Sequence, residues 1–179
     1  MALALVAAVA LVVAISVPAV AGRLNVRGDT SFLRVNLWRS SLEMVREHPI
    51  TGVGLDNFLY AYRGRYILDA AWQEPDLSHP HNIVLDFATR LGLLGLLAGL
   101  WLFGGWALQL RQAARRWLPK HPGRASSPWP PVIAGLLAAF GQGLAHGLVD
   151  HSFFLVDLAC AFFLMLAITV WLAESEGLP

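Results

Sequence analysis

Three apolar runs in this chain are long enough to cross a bilayer, and a polypeptide that crosses hydrocarbon must satisfy every backbone polar group internally. The runs are Ala2 to Ala21, Ile83 to Leu110 and Pro131 to Leu172. The third is too long for one crossing and is broken near its middle by His146, Asp150, His151 and Ser152, which predicts a helical hairpin turning at a water interface. The chain has 179 residues, 56% hydrophobic and 14% charged, against roughly 45–50% and 25% in soluble domains. These numbers predict an all-α integral membrane protein forming a single membrane domain, with about four transmembrane helices. The predicted spans are residues 1–21, 83–110, 131–149 and 153–172, with a long helical loop over 22–82 and a shorter loop over 111–130.

The first run also ends on Ala19-Val20-Ala21, a small-residue pattern like a signal-peptide cleavage site. No Lys or Arg precedes it and it is longer than a signal core, so a span is the better reading. A net charge of +1 with no concentrated basic face excludes nucleic acid as a partner. Cys160 is the single cysteine and lies in the last apolar run, so no disulfide within the chain is possible.

Orientation follows from the segment between the second and third spans. Arg111, Arg115, Arg116, Lys120 and Arg124 stand there without an acid, with Trp117 and Trp129 near the ends, which predicts a cytoplasmic face. The 22–82 loop holds seven arginines and seven acids, but at about 60 residues it lies where the positive-inside rule loses force. It is therefore placed outside, and both termini inside.

Within that outer loop, Phe32, Val35, Trp38, Leu42 and Val45 recur at helical spacing, predicting an amphipathic helix at the membrane surface. His48-Pro49 and the Thr51-Gly52-Val53-Gly54 turn should end it. A second helix is expected from Asp56 or Asn57 onward, with Tyr60, Tyr62 and Tyr66 suited to an interface. The second span, read from Ile83 to Leu110, would measure about 42 Å at 1.5 Å per residue against a core of about 30 Å. Its first turns should protrude, placing His79 and His81 at the outer edge, followed by Asn82, Asp86 and Arg90 along one face.

An imidazole at such an edge is able to exchange a proton near neutral pH. It also serves as a plain interfacial or capping residue, and Asp86 with Arg90 one turn on makes a structural ion pair equally well. Gly95 to Gly99 is a small-xxx-small pattern whose usual meaning is close helix packing. Asp150 and His151 share the outer face with His81, whereas His146 and Asp150, four apart, have the spacing of a local pair closing the hairpin. No two ligands with the i, i+4 spacing of a helical zinc motif stand beside a third convincing partner, so no metal is expected, and no cofactor is expected either.

His81-Asn82, nine residues, Gly92, two residues and Gly95 resembles the signature of the O-antigen ligase and O-antigen polymerase-like family of bacterial envelope glycosyltransferases. Upstream, LRVNLWRSSLEMVREHPITGVGLDNFLYAY resembles the family's stretch from an Arg and Trp on an outer helix, through His-Pro, to a Gly-x-Gly turn and Asn-Phe. Downstream, AHGLVDHSFF resembles its late hairpin turn.

The resemblance implies transfer of a glycan from undecaprenyl diphosphate to a sugar hydroxyl on a lipid or glycan acceptor. The site would face the periplasm from the bacterial inner membrane, with membrane lipids around it and neither metal nor nucleotide sugar. His81 then becomes the catalytic base. Arg34, matching the family's Arg ahead of the Trp, is the first choice for the diphosphate, because guanidinium binds phosphate oxygens in a planar fork. Arg39, Arg63, Arg65 and Arg90 are weaker candidates for diphosphate or sugar, with Asn82 and Asp150 also lining the site. Trp38, Pro49, Gly52, Gly54, Gly92 and Gly95 carry the structural motif. A ligase is favoured over a polymerase, and a non-catalytic subunit or transporter piece is the other class. Proteins resembling this chain are about twice as long or more, so it is read as a fragment, as a half that works with a separate partner supplying helices, or as an inactive remnant.

Overall fold

The computed structural model describes residues 29–118, 128–150 and 153–175, and the first predicted span, residues 1–21, lies outside them. Among the described residues all regular structure is helical: α1 (Asp29–Glu47), α2 (Phe58–Ala61), α3 (Ile83–Trp117), α4 (Trp129–Gly147) and α5 (Val156–Glu174). A wide turn at Tyr62–Tyr66 and a 3₁₀ turn at Asp69–Ala71 lie between α2 and α3.

Helices α3, α4 and α5 run up, down and up, packed around Trp106, Leu110, Ile133, Phe162 and Leu172. Two of them, α3 and α5, have the length and hydropathy to cross a membrane, and only 22% of each apolar stretch is buried within the chain. Leu97, Leu100 and Trp101 on α3, and Phe163, Leu164 and Trp171 on α5, point outward instead. An apolar exterior of this extent needs lipid around it, so the chain is a membrane protein. Trp117, Trp129 and Trp171 cluster at one end of the bundle, with ring centroids 6.2 and 5.2 Å apart in sequence. Arg116 and Trp117 there donate to the last carbonyls of α5, those of Ala173 and Leu172, as side chains near a helix C-terminus do.

The predicted spans shift at their edges. Helix α3 begins at Ile83 as expected but continues to Trp117, and it is interrupted at Gly92, where φ is 65° and ψ −155°. The unbroken part from Leu93 onward, about 25 residues, is roughly 37 Å long, enough to cross the hydrocarbon alone.

The break at Gly92 has a complete hydrogen-bond solution. In an uninterrupted helix the carbonyls of Thr89 and Arg90 would accept from Leu93 and Leu94. Here they accept from Val53 (2.7 Å) and Gly54 (3.1 Å), while Leu93 and Leu94 donate to Pro49 (2.8 Å) and Ile50 (3.3 Å). The 49–54 turn is thus spliced into the helix backbone, and all four released groups are paired. Gly52, at φ 66°, lets the turn lie against the Thr89 carbonyl, where a Cβ would sit 2.4 Å from the oxygen. The two later glycines have a different role from the one their spacing suggests. A Cβ at Gly95 would meet Leu91 at 2.2 Å and one at Gly99 the Phe87 ring at 3.1 Å, so both accommodate the first half of their own helix across the break.

Helix α1 buries Leu37, Ser40, Ser41 and Met44, with small serines permitting close approach. Part of the face expected to be apolar points the other way: Phe32, Val35 and Leu42 are exposed, available to a membrane surface, whereas Trp38 and Val45 are half-buried. The expected interfacial tyrosines divide for a related reason. Phe58, Tyr62 and Tyr66 at four-residue spacing form one stripe that packs on Leu37 and Met44, burying Tyr62 and Tyr66, while Tyr60 stays outside.

The Tyr66 hydroxyl donates to Glu47 Oε2 at 2.6 Å, and Arg65 lies 2.7 Å from the same carboxylate. The Tyr66 bond, with Arg65 beside it, lowers the Glu47 pKa, whereas burial and that bond raise Tyr66. A carboxylate lowered in the folded state stabilises at pH above its ordinary value near 4.5 and loses that contribution as pH falls through the folded value. Thermal stability in detergent should therefore fall as the pH drops below about 4.5, and Tyr66→Phe should flatten that dependence. An unchanged acid limb in Tyr66→Phe would show that the bond does not stabilise the fold.

Candidate active site

Asn82 is the residue on which the site is assembled. Its Oδ1 accepts from the backbone of Val84 (3.0 Å) and Leu85 (3.1 Å), capping α3, and its Nδ2 donates to the Leu148 carbonyl at 2.9 Å. One side chain therefore starts the helix and ties it to the turn after α4.

His81, just before it, has φ 51°, in the left-handed region that disfavours most side chains and tolerates histidine better than most. Such a conformation costs about 1–2 kcal/mol and persists where the surroundings hold it. The indole of Trp38 donates to the Pro80 carbonyl at 2.8 Å, fixing the loop to α1, and the His81 amide donates to His79 Nδ1 at 3.4 Å. The result brings His81 Nδ1 to 2.7 Å from Asp150 Oδ1.

An ionised carboxylate only accepts hydrogen bonds, so this contact places the ring proton on Nδ1 and the free lone pair on Nε2. Nε2 makes no hydrogen bond among the described residues. The histidine side chain is 24% exposed and the Asp150 side chain 41%, so the pair is reachable from outside yet partly shielded. Near the start of α3, Phe87 packs on Phe153 and Phe154, with ring centroids at 5.3 and 4.7 Å.

Asp150 joins His81 through its side chain, and its link to His146 is a backbone one, from the Asp150 amide to the His146 carbonyl at 2.9 Å. His151 lies outside the described residues. Asp86 and Arg90 form a buried ion pair at 2.6 Å. Arg90 also donates to the carbonyls of Leu55 and, at 2.9 Å, Ser78, and lies 5.2 Å over the Phe154 ring. It clamps the 55–78 segment to α3 and so holds the loop that carries His81.

The remaining candidates separate by their partners. Arg63 pairs with Asp76 at 3.0 Å and Arg65 with Glu47. Arg34 and Arg39 are exposed and form no ion pair among the described residues. Arg34 stands one turn before Trp38 on the same face of α1, which places it on the side that meets the Pro80 loop. Sequence reasoning missed the splice of the 49–54 turn into α3, although His48-Pro49, Gly52, Gly54 and Gly92 were its signal.

A helical membrane protein with a histidine–carboxylate pair held at one end of its apolar helices is the class that this fold and site define. Within that class the chain belongs to the O-antigen ligase family, whose model matches residues 1–100, more than half of the sequence. The match includes Trp38, the 49–54 turn, His81 and the glycines of the break, and ends before Asp150. Membership carries an O-antigen ligase-like function and lipid-linked glycans as the coarse class of substrate. No curated protein and no solved structure matches the chain.

Proposed function

We propose that the chain carries the acceptor-activating part of a glycan ligase, with His81 as general base. The observation that carries this reading is the 2.7 Å contact between His81 Nδ1 and Asp150, which leaves Nε2 as the basic atom. A sugar hydroxyl is a weak nucleophile, and its proton must leave as the new bond forms. His81 Nε2 takes that proton while the acceptor oxygen bonds to the anomeric carbon of the donor sugar. The bond from that carbon to the undecaprenyl diphosphate oxygen breaks, and the diphosphate leaves with the electron pair. Asp150 holds the ring in the right tautomer and stabilises the imidazolium that results.

Negative charge grows on the leaving diphosphate, and on this reading Arg34 receives it. Its position one turn from Trp38 and its lack of an ion-pair partner among the described residues support this role. Arg111, Arg115 and Arg116 lie in the last turns of α3, at its tryptophan end, which supports a cytoplasmic location for that end and a periplasmic one for His81 in the bacterial inner membrane. On this reading α4 and the apolar run 2–21 also cross the bilayer, giving four spans with residues 22–82 outside.

Transfer of glycan from a polyprenyl diphosphate donor to an acceptor, by the full chain in liposomes, tests the reading. Arg34→Ala should lower kcat/KM for the donor by about 10–100-fold, the effect of losing a hydrogen bond to a charged group, with Lys restoring only part of it. Equal activity in wild type and Arg34→Ala would remove Arg34 from the site.

A further inference from the structure

His79, His81 and Asp150 each offer one ligand atom, and the three atoms lie within 4.8 Å of one another. The two imidazoles flank Pro80 and meet edge to face at 4.2 Å between centroids, while the carboxylate arrives from the turn after α4. We infer that these three side chains form a binding site for one transition-metal dication of the zinc type, and that its occupation switches off His81 as a base.

The donor set selects the ion. Two imidazole nitrogens and one carboxylate oxygen suit zinc and its neighbours, whereas magnesium and calcium prefer all-oxygen shells. Three protein ligands with a fourth position open to water is a common zinc arrangement. Ligands about 2.1 Å from a tetrahedral ion stand about 3.4 Å apart, which small ring rotations from the present separations would reach. All three side chains are of intermediate exposure, so an ion has a path to them. Sequence spacing did not point to the site because Asp150 is 69 residues from His81.

The consequence for His81 is the same whichever nitrogen binds. If Nε2 is the ligand, its lone pair is used directly. If Nδ1 is the ligand, the ring is held as its other neutral tautomer, its single proton moved through solvent from Nδ1 to Nε2, and the bond to Asp150 gives way to a shared metal. In both cases no basic lone pair remains for a sugar hydroxyl. This inhibitory consequence rests on the proposed role of His81, whereas the binding site itself does not.

The test uses the full chain in detergent, stripped with a chelator, and titrated calorimetrically with Zn²⁺ and optically with Co²⁺. One ion per chain is expected, with a visible Co²⁺ spectrum of a four-coordinate nitrogen and oxygen site. His79→Ala and Asp150→Asn should each weaken binding at least about tenfold, while His48→Ala leaves it unchanged. His79→Gln provides a second variant should the alanine form fail to fold, judged by its metal-free unfolding temperature. Zn²⁺ should inhibit glycan transfer reversibly, and His79→Ala should raise the inhibiting concentration at least about tenfold. Absence of stoichiometric binding, or binding that survives both His79 variants, overturns the site. Binding without any transfer by the wild-type chain would count against His81 as a base and leave the metal site standing.

Discussion

Replacing His81 with alanine should lower the rate of glycan transfer by about 10²–10⁴-fold, the usual contribution of a positioned general base, while leaving membrane insertion unaffected. The size of the effect follows from the geometry. His81 contributes one ring contact to Asp150 and one to His79, both near the surface, so its loss removes little packing. Alanine at φ 51° keeps the same left-handed backbone, whose cost of about 1–2 kcal/mol is already carried by the wild-type chain, so the substitution adds little strain. Chemistry and stability should therefore separate: the transfer rate collapses while the unfolding temperature moves by a few degrees at most. A variant that transfers glycan at the wild-type rate would remove His81 as the base.

Gly92→Ala should have the opposite signature, a large loss of stability with activity lost only because the fold is lost. At φ 65° and ψ −155° the backbone is in a region that is essentially glycine's alone. A Cβ there would lie 2.4 Å from both the carbonyl carbon and the oxygen of Ile50, backbone atoms that have no rotamer in which to move aside. Relief requires withdrawing the 49–54 turn, which breaks the four hydrogen bonds that satisfy the interrupted helix. With about 1 kcal/mol for each bond and about 1–2 kcal/mol for the conformation, the expected cost is about 5–6 kcal/mol. Gly104→Ala is the control, because it lies in the same helix with nothing near its Cβ position, and it should be neutral or slightly stabilising. Unfolding in detergent followed by circular dichroism compares the two, and similar midpoints would show that the splice contributes little to stability.

These two residues also mark what could be read from the amino-acid sequence. Hydropathy placed the apolar helices because solvation in lipid acts residue by residue and needs no knowledge of neighbours. His81, Asn82 and Gly92 stood out because they match the family's signature, and the capping by Asn82 and the break at Gly92 give that signature local backbone reasons. Gly52 and Gly54 were expected to serve a turn, and they do, yet the object that the turn fits into is a helix break about 40 residues later, which local reasoning does not reach. Gly95 and Gly99 have the spacing of a helix-packing pattern, and only the bend at Gly92 reveals that they face their own helix.

Pairings across long separations were the least legible. Asp150 was compatible with both His146 and His81, and the Asn82 bond to the Leu148 carbonyl, which spans 66 residues, turns it toward His81. For the arginines, charge was visible and partner was not: Arg63, Arg65 and Arg90 are each matched to a carboxylate that sequence order alone does not single out for the first two. In α1 the apolar face read from periodicity is real, but the helix turns its serine-rich face inward because close approach to the rest of the chain requires small side chains.

The central claim is that His81 and Asp150 act as one unit, and a double-substitution cycle on transfer rate tests it most directly. His81→Ala, Asp150→Asn and the double variant would be compared with wild type in the same liposomes at saturating donor. If the carboxylate acts only through the ring, Asp150→Asn lowers the rate strongly on its own, and adding it to His81→Ala lowers the rate no further. Losses that multiply in the double variant would mean that the two side chains act independently, and the account of a histidine base held by its carboxylate would be wrong.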